Sequence, residues 1–258
     1  TRTTASTSGR RAASSSGSSS TRRARSPRRS WRSAVSTSAS AARMSASVTS
    51  GGTQCRPQPI RVDPEVRHLT TVAAQRFADL GCTVEAVNPG WANPRDIAGL
   101  AWYVSYAARL GAYYDENPTW FDGSLAEMIE AGRRASGVDH VRTSIERTTF
   151  YQEALRFFTT YDLLLTPQMP TGAWSLTQGP ATIDGIPTPS MFDRLSFTFP
   201  FNMTGQPAAS VPCGFTSEGL PVALQVVGRW HADTLVLQAA AAFEQVQPWA
   251  GARPVMNS

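Results

Sequence analysis

The chain has 258 residues and carries 24 basic against 19 acidic side chains, a net +5. Every basic residue is an arginine, which excludes from this polypeptide any chemistry built on a side-chain amine: a phosphate-binding lysine, a Schiff base or a Ser-Lys pair. The charge is also segregated, because residues 1–60 hold 11 arginines and no acid while the remainder holds 13 arginines against 19 acids, a net −6.

Residues 1–61 contain 17 serines and only scattered large apolar side chains such as Trp31, Val35, Met44 and Val48. Such a stretch cannot bury enough apolar surface to offset its ordering entropy, so it is predicted to be a disordered Arg/Ser-rich tail. The Arg22–Arg29 run could meet phosphates, but Trp31 is its one aromatic neighbour and no stacking series follows, which argues against nucleic acid as a partner. An organelle-targeting reading fails for want of apolar periodicity. Arginine without lysine points to a GC-rich gene, and GC-rich DNA read out of frame yields Arg, Ser, Ala, Thr and Pro. Back-translated with GC-leaning codons and shifted by two bases, Arg43 to Arg56 can encode VGFGYLRGYAVP, a strand-and-turn pattern. The hypothesis is that residues 1–61 are an out-of-frame translation; stop codons in the shifted frame of the gene would refute it.

Residues 62–258 have a different character. Asp63-Pro64 opens a helix, with Val66, Leu69, Ala73, Phe77 and Leu80 at helical spacing and Gly81 as the stop. Cys82–Val87 follows as a short strand. Asn93-Pro94 opens a second helix over 95–114, rich in aromatics. Further helices are predicted over 124–130 and 141–161, and Leu163-Leu164-Leu165 reads as a buried strand. Residues 173–189 form a Gly/Pro-rich loop. Two strands over 208–213 and 222–227 flank the turn Ser217-Glu218-Gly219, and a helix over 232–246 ends at Pro248. Helices alternating with strands mark an α/β fold.

The pattern excludes several familiar chemistries. No G-x-S-x-G, H-E-x-x-H or G-x-G-x-x-G is present. His68, His140 and His231 stand apart from one another, and Cys55, Cys82 and Cys213 form no C-x-x-C pair, so neither a metal nor a cofactor is expected. Three dispersed cysteines fit a reducing, cytoplasmic setting. No apolar run reaches the roughly 20 residues of a membrane helix, so no membrane partner is expected.

One stretch is specific. Phe199-Pro200-Phe201-Asn202-Met203-Thr204-Gly205-Gln206-Pro207 runs through Ala208-Ala209-Ser210-Val211-Pro212 into Gly219-Leu220-Pro221-Val222-Ala223-Leu224-Gln225-Val226-Val227-Gly228. Together with Tyr161-Asp162-Leu163-Leu164-Leu165-Thr166-Pro167, Ala232-Asp233 and Pro248-Trp249, it resembles the C-terminal part of the amidase signature family. The resemblance covers about Val62 to Pro254. It implies an α/β fold in which a mixed central sheet is flanked by helices, and an enzyme that hydrolyses a small-molecule carboxylic amide to acid and ammonia or amine.

The resemblance also implies a serine nucleophile, a second serine relaying its proton and a buried neutral lysine as base, all N-terminal to the matched region. A lysine can be neutral when burial lowers its pKa, whereas arginine stays protonated. Catalytic residues are therefore expected to be absent here and the chain inactive alone; Ser14–Ser20, interrupted by Gly17, mimics the nucleophile loop only in composition. The 199–204 segment is expected as a loop forming one wall of the substrate pocket, through Phe199, Phe201, Asn202 and Thr204. Asn202 and Thr204 can alternatively hydrogen-bond the turn itself. The aromatic 102–114 helix suggests an apolar or aryl acyl group. Two alternatives are a glutaminase like the A-type subunit of glutamyl-tRNA(Gln) amidotransferase, and a non-catalytic binding protein with a basic arm.

Overall fold

The computed structural model describes residues 60–176, 179–180, 182–188 and 190–252, with the backbone of Arg43–Ala46. These lie in one compact unit, Ser40–Ser258. The predictions for most of residues 1–61 fall outside the described residues.

Helix α1, Pro64–Asp79, starts as its sequence requires: the Asp63 carboxylate accepts from the Glu65 N–H at 2.9 Å, with proline in the first turn. Its buried positions Val66, Thr70, Ala73, Ala74 and Phe77 make one stripe. Strand β2, Thr83–Ala86, follows, and helix α2, Arg95–Glu116, begins where Asn93-Pro94 places it. Helix α3 spans Gly123–Arg134 and helix α4 spans Gly137–Phe157. The α4 start lies four residues before the position expected from apolar spacing, because Ser136 and Asp139 close a reciprocal capping box. Gly132 of α3 sits against the Tyr103 carbonyl of α2, where a methyl group would collide with backbone. That contact sets how closely the two helices pack.

Strands β3 (Leu163–Pro167), β6 (Ala208–Phe215) and β7 (Pro221–Gly228) join β2 and β1 (Arg43–Ala46) in one mixed sheet. The order is β2-β1-β3-β7-β6, with β1 parallel to β2 and β3, and β7 antiparallel to both β3 and β6. Finding β1 inside the segment predicted to be disordered departs from the composition reading for those four residues. Ladder hydrogen bonds belong to the backbone, so two flanking strands can order a segment whose side chains do not call for it.

Both sheet faces are covered. Leu163, Leu165, Leu224 and Val226 face α1 and the last helix, α7 (Asp233–Val246), where Phe77 stacks on Phe243 at 5.4 Å. Leu164 and Val227 face the other way, onto Phe158 and Phe201. This is the α/β arrangement, a mixed central sheet flanked by helices, that the sequence predicts.

Residues 173–189, expected as loop, contain a small hairpin. Strands β4 (Thr182–Ile183) and β5 (Ile186–Pro187) pair across Asp184-Gly185, both at positive φ (52° and 71°), the conformation of a tight two-residue hairpin turn. Short helix α5, Met191–Arg194, leads to α6, Phe199–Thr204. Helix α6 corrects the loop expected there. Proline in the first turn and Gly205 at φ +75° bound it, and burial of Phe199, Pro200, Phe201, Met203 and Thr204 on the core outweighs its short length.

Candidate functional site

The direction of the parallel strands decides where a ligand can sit. In open α/β sheets ligands bind beyond the carboxyl ends of the strands, where the connectors diverge. Here described residues that follow β1, β2 and β3 in the chain line one open cleft of about 190 Å³. Ile60 and Arg61 come after β1; Asn93, Arg95 and Asp96 come after β2. Ile183, Ile186, Pro187 and Thr188 of the hairpin, with Asp193 and Ser196 beyond it, come after β3.

Each wall is held in place. Arg95 Nη1 donates to Asp193 Oδ1 at 2.7 Å, joining the start of α2 to α5 across the cleft. The other Asp193 oxygen accepts from the Ser190 N–H at 3.1 Å, so the carboxylate also caps α5. Ser196 Oγ donates within its own turn, to the Asp193 carbonyl at 2.6 Å. The next residue, Phe197, gives its carbonyl to Gln225 Nε2 at 2.8 Å, and the same amide reaches Thr166 Oγ1 at 2.9 Å. Gln225, in the middle of β7 and 3% exposed, therefore ties the cleft floor to the carboxyl end of β3. The hairpin tip is steered by Asp184, 3.7 Å from Arg67 of α1.

The electrostatics are mixed. Arg61 is exposed and pairs with no carboxylate among the described residues, while Asp96 lies in the first turn of α2, where the helix dipole favours a negative charge. Among the described residues no group of three or more His, Cys, Asp or Glu gathers as metal ligands would, and no helix is long and apolar enough to cross a membrane. Cys213 is sealed in β6, where burial pushes its thiol up to about 12.

The residues expected from sequence as pocket wall lie elsewhere. Phe199 is 1% exposed and packs edge-on against Phe192 at 5.5 Å, in a cluster with Phe150, Met203, Trp102 and Tyr103. Phe201 meets Trp91 at 6.3 Å over Leu164 and Val227. Thr204 Oγ1 reaches the Pro200 carbonyl at 3.1 Å and Gln206 Oε1, bonds within its own turn, and Asn202 is exposed. None of the four lines the cleft. The α6 C-terminus leads into the first residue of β6, which is level with the start of β3, so it lies toward the opposite end of the sheet. The cleft residues sit in no motif. What could have pointed to them is the length of the 168–190 connector and the carboxyl-end rule applied to β2 and β3.

The amidase family model matches residues 16–237, which takes in much of the arginine-rich segment as well as the sheet. An acylamidase of Rhodococcus erythropolis is 34% identical over 197 residues, covering 75% of this chain and 41% of the relative. The A-type subunit of glutamyl-tRNA(Gln) amidotransferase from Streptococcus pyogenes is 30% identical over 227 residues, covering 76% of this chain and 44% of the relative. A bacterial aryl acylamidase of the amidase signature enzymes superposes with a TM-score of 0.70 at 26% identity, over 87% of this chain and 49% of that one. The chain thus spans less than half the length of these relatives. With the sheet, its register and the family match in agreement, the chain belongs to the amidase family.

Proposed function

We propose that this chain forms the ligand-binding part of an amide hydrolase, which cleaves a carboxylic amide to the acid and ammonia or an amine. The observation that carries the reading is a sheet built from the family's own motifs, with residues that follow β1, β2 and β3 lining one small open cleft. The family resemblance supplies the chemistry: a serine attacks the carbonyl, and a neutral lysine takes up its proton through a second serine. These 258 residues include no lysine, and a guanidinium stays protonated, so it cannot act as the base. The polypeptide as it stands is therefore inert toward amides. The lysine has to come from further residues of a longer chain or from a partner.

In this reading Phe199 packs on Phe192, next to Asp193, which lines the cleft with both oxygens engaged by Arg95 and the Ser190 N–H. The isoleucines of the lining, Ile60, Ile183 and Ile186, support an apolar acyl group. The test is complementation: the chain is fused to, or mixed with, the serine–serine–lysine segment of the acylamidase relative. Ammonia release from simple amides is expected. Failure of every folded combination would count against the reading.

A glutaminase of tRNA-dependent amidation is the second reading. Charges of both signs in the cleft, Arg61 and Asp96, favour it, since a ligand with amino and carboxyl ends would need both. A partner-dependent amidation assay separates the two.

A further inference from the structure

Arg61 lines the cleft and pairs with no carboxylate among the described residues. The other guanidinium, Arg95, is matched at 2.7 Å by Asp193, whose second oxygen is engaged by a backbone N–H. Asp96 is compensated by its place in the first turn of a 22-residue helix. The lining also includes Ile60, Ile183 and Ile186, of which Ile183 is 2% exposed. The space, about 190 Å³, falls short of the roughly 300 Å³ where drug-sized pockets begin. A ligand that fits is small, branched and apolar at one end, and anionic at the other.

We propose that the cleft binds a short aliphatic carboxylate, with Arg61 as the residue that holds the anion and the hairpin isoleucines as the wall for its body. This deepens the amide-hydrolase reading and rests on it for the choice of an acid, the species amide cleavage releases. A carboxylate is preferred to the neutral amide because a charge-assisted bond to guanidinium is roughly twice as strong as a neutral one. Arg61 is exposed, so its removal leaves the fold in place.

The experiment is a calorimetric or NMR titration of the full chain with 4-methylpentanoate and, as the neutral isostere, 4-methylpentanamide. Saturable binding of the acid is expected, with the amide at least about tenfold weaker. Arg61→Ala should weaken the acid at least about tenfold with an unchanged circular dichroism spectrum. Asp96→Asn should tighten it a few-fold by removing a like charge, an outcome that a merely structural role would not produce and that a ligand held by an ammonium would reverse. Equal binding of acid and amide, an unaffected Arg61→Ala, a weakened Asp96→Asn, or no saturable binding would each overturn the proposal. If the acid fails to bind while the complemented chain hydrolyses amides, this inference alone falls. If the acid binds as described and no complemented chain is active, the functional reading falls and the site stands.

Discussion

The two ends of the central sheet differ in kind. At the amino end of β3, Leu163 and Leu164 are level with Val227 and Gly228, and the signature turn around Gly205 enters β6 beside them. Leu163, Leu164 and Val227 are buried there, and a surface ion pair, Arg229–Asp162 at 3.6 Å, lies beside them. At the carboxyl end the connectors carry arginines, carboxylates and hydroxyls around an open cleft. Most of the residues that carry the family resemblance build the sheet, and the residues that line the cleft lie in segments with no motif. Gln225 joins the two, a motif residue whose amide holds the cleft floor.

That contrast can be broken from either end. The largest effect is expected at Leu164, 1% exposed between the sheet and the aromatic layer. Leu164→Ala should cost about 2–5 kcal/mol in denaturant unfolding, whereas Ile186→Ala on the cleft, 39% exposed, should cost far less. Comparable losses at the two would erase the distinction. Gln225→Ala leaves the Phe197 carbonyl without that donor and should cost about 1–3 kcal/mol. Because Ser196 lines the cleft, the same variant should also weaken binding of 4-methylpentanoate; destabilisation with intact binding would separate the floor from the sheet.

A pH effect sharpens the buried side of the comparison. Cys213 ionises near 9.0 when unfolded but is pushed up to about 12 in the fold by burial. Above pH 9 the unfolded chain sheds this proton and the native chain keeps it, so stability is complete below about pH 9 and falls as pH rises toward 12. Cys82, raised by burial and by the Asp162 carboxylate, acts in the same direction. Unfolding at a series of alkaline pH values should show the decline, and Cys213→Ala should flatten it. The smallest expected change in stability is that of Arg61→Ala, within about 0.5 kcal/mol, since the side chain is exposed and unpaired among the described residues.

The sequence made the secondary structure legible wherever its signals were local. Asp63-Pro64, the Leu163–Leu165 run and the Ser217-Glu218-Gly219 turn all stand where expected, the last enclosed by the Thr216 N–H on the Leu220 carbonyl at 2.8 Å. Three elements were hidden for distinct reasons. Helix α6 looks like a loop because Pro200 and Gly205 bracket a segment too short to show a period. The β4–β5 hairpin has two-residue strands, so Asp184-Gly185 is its one local sign. Strand β1 draws on backbone pairing, which composition does not register.

The site was less legible still. Arg61, the adjacent pair Arg95-Asp96, and Asp193 come from three separate stretches of the chain, and chain folding alone brings them together. Phe199 and Phe201 read as pocket wall because they are aromatic and lie in the signature, yet aromatic side chains beside a sheet are more often its packing.

Of the measurements available, the most direct is on the purified 258-residue chain, free of host hydrolases and incubated with simple aliphatic and aryl amides while ammonia and acid are followed. Folded chain that binds 4-methylpentanoate yet releases no product above buffer is the result expected of a binding half without a neutral amine. Sustained turnover by the chain alone would contradict the account, because the lysine that serves as base in the family's mechanism is absent from these residues.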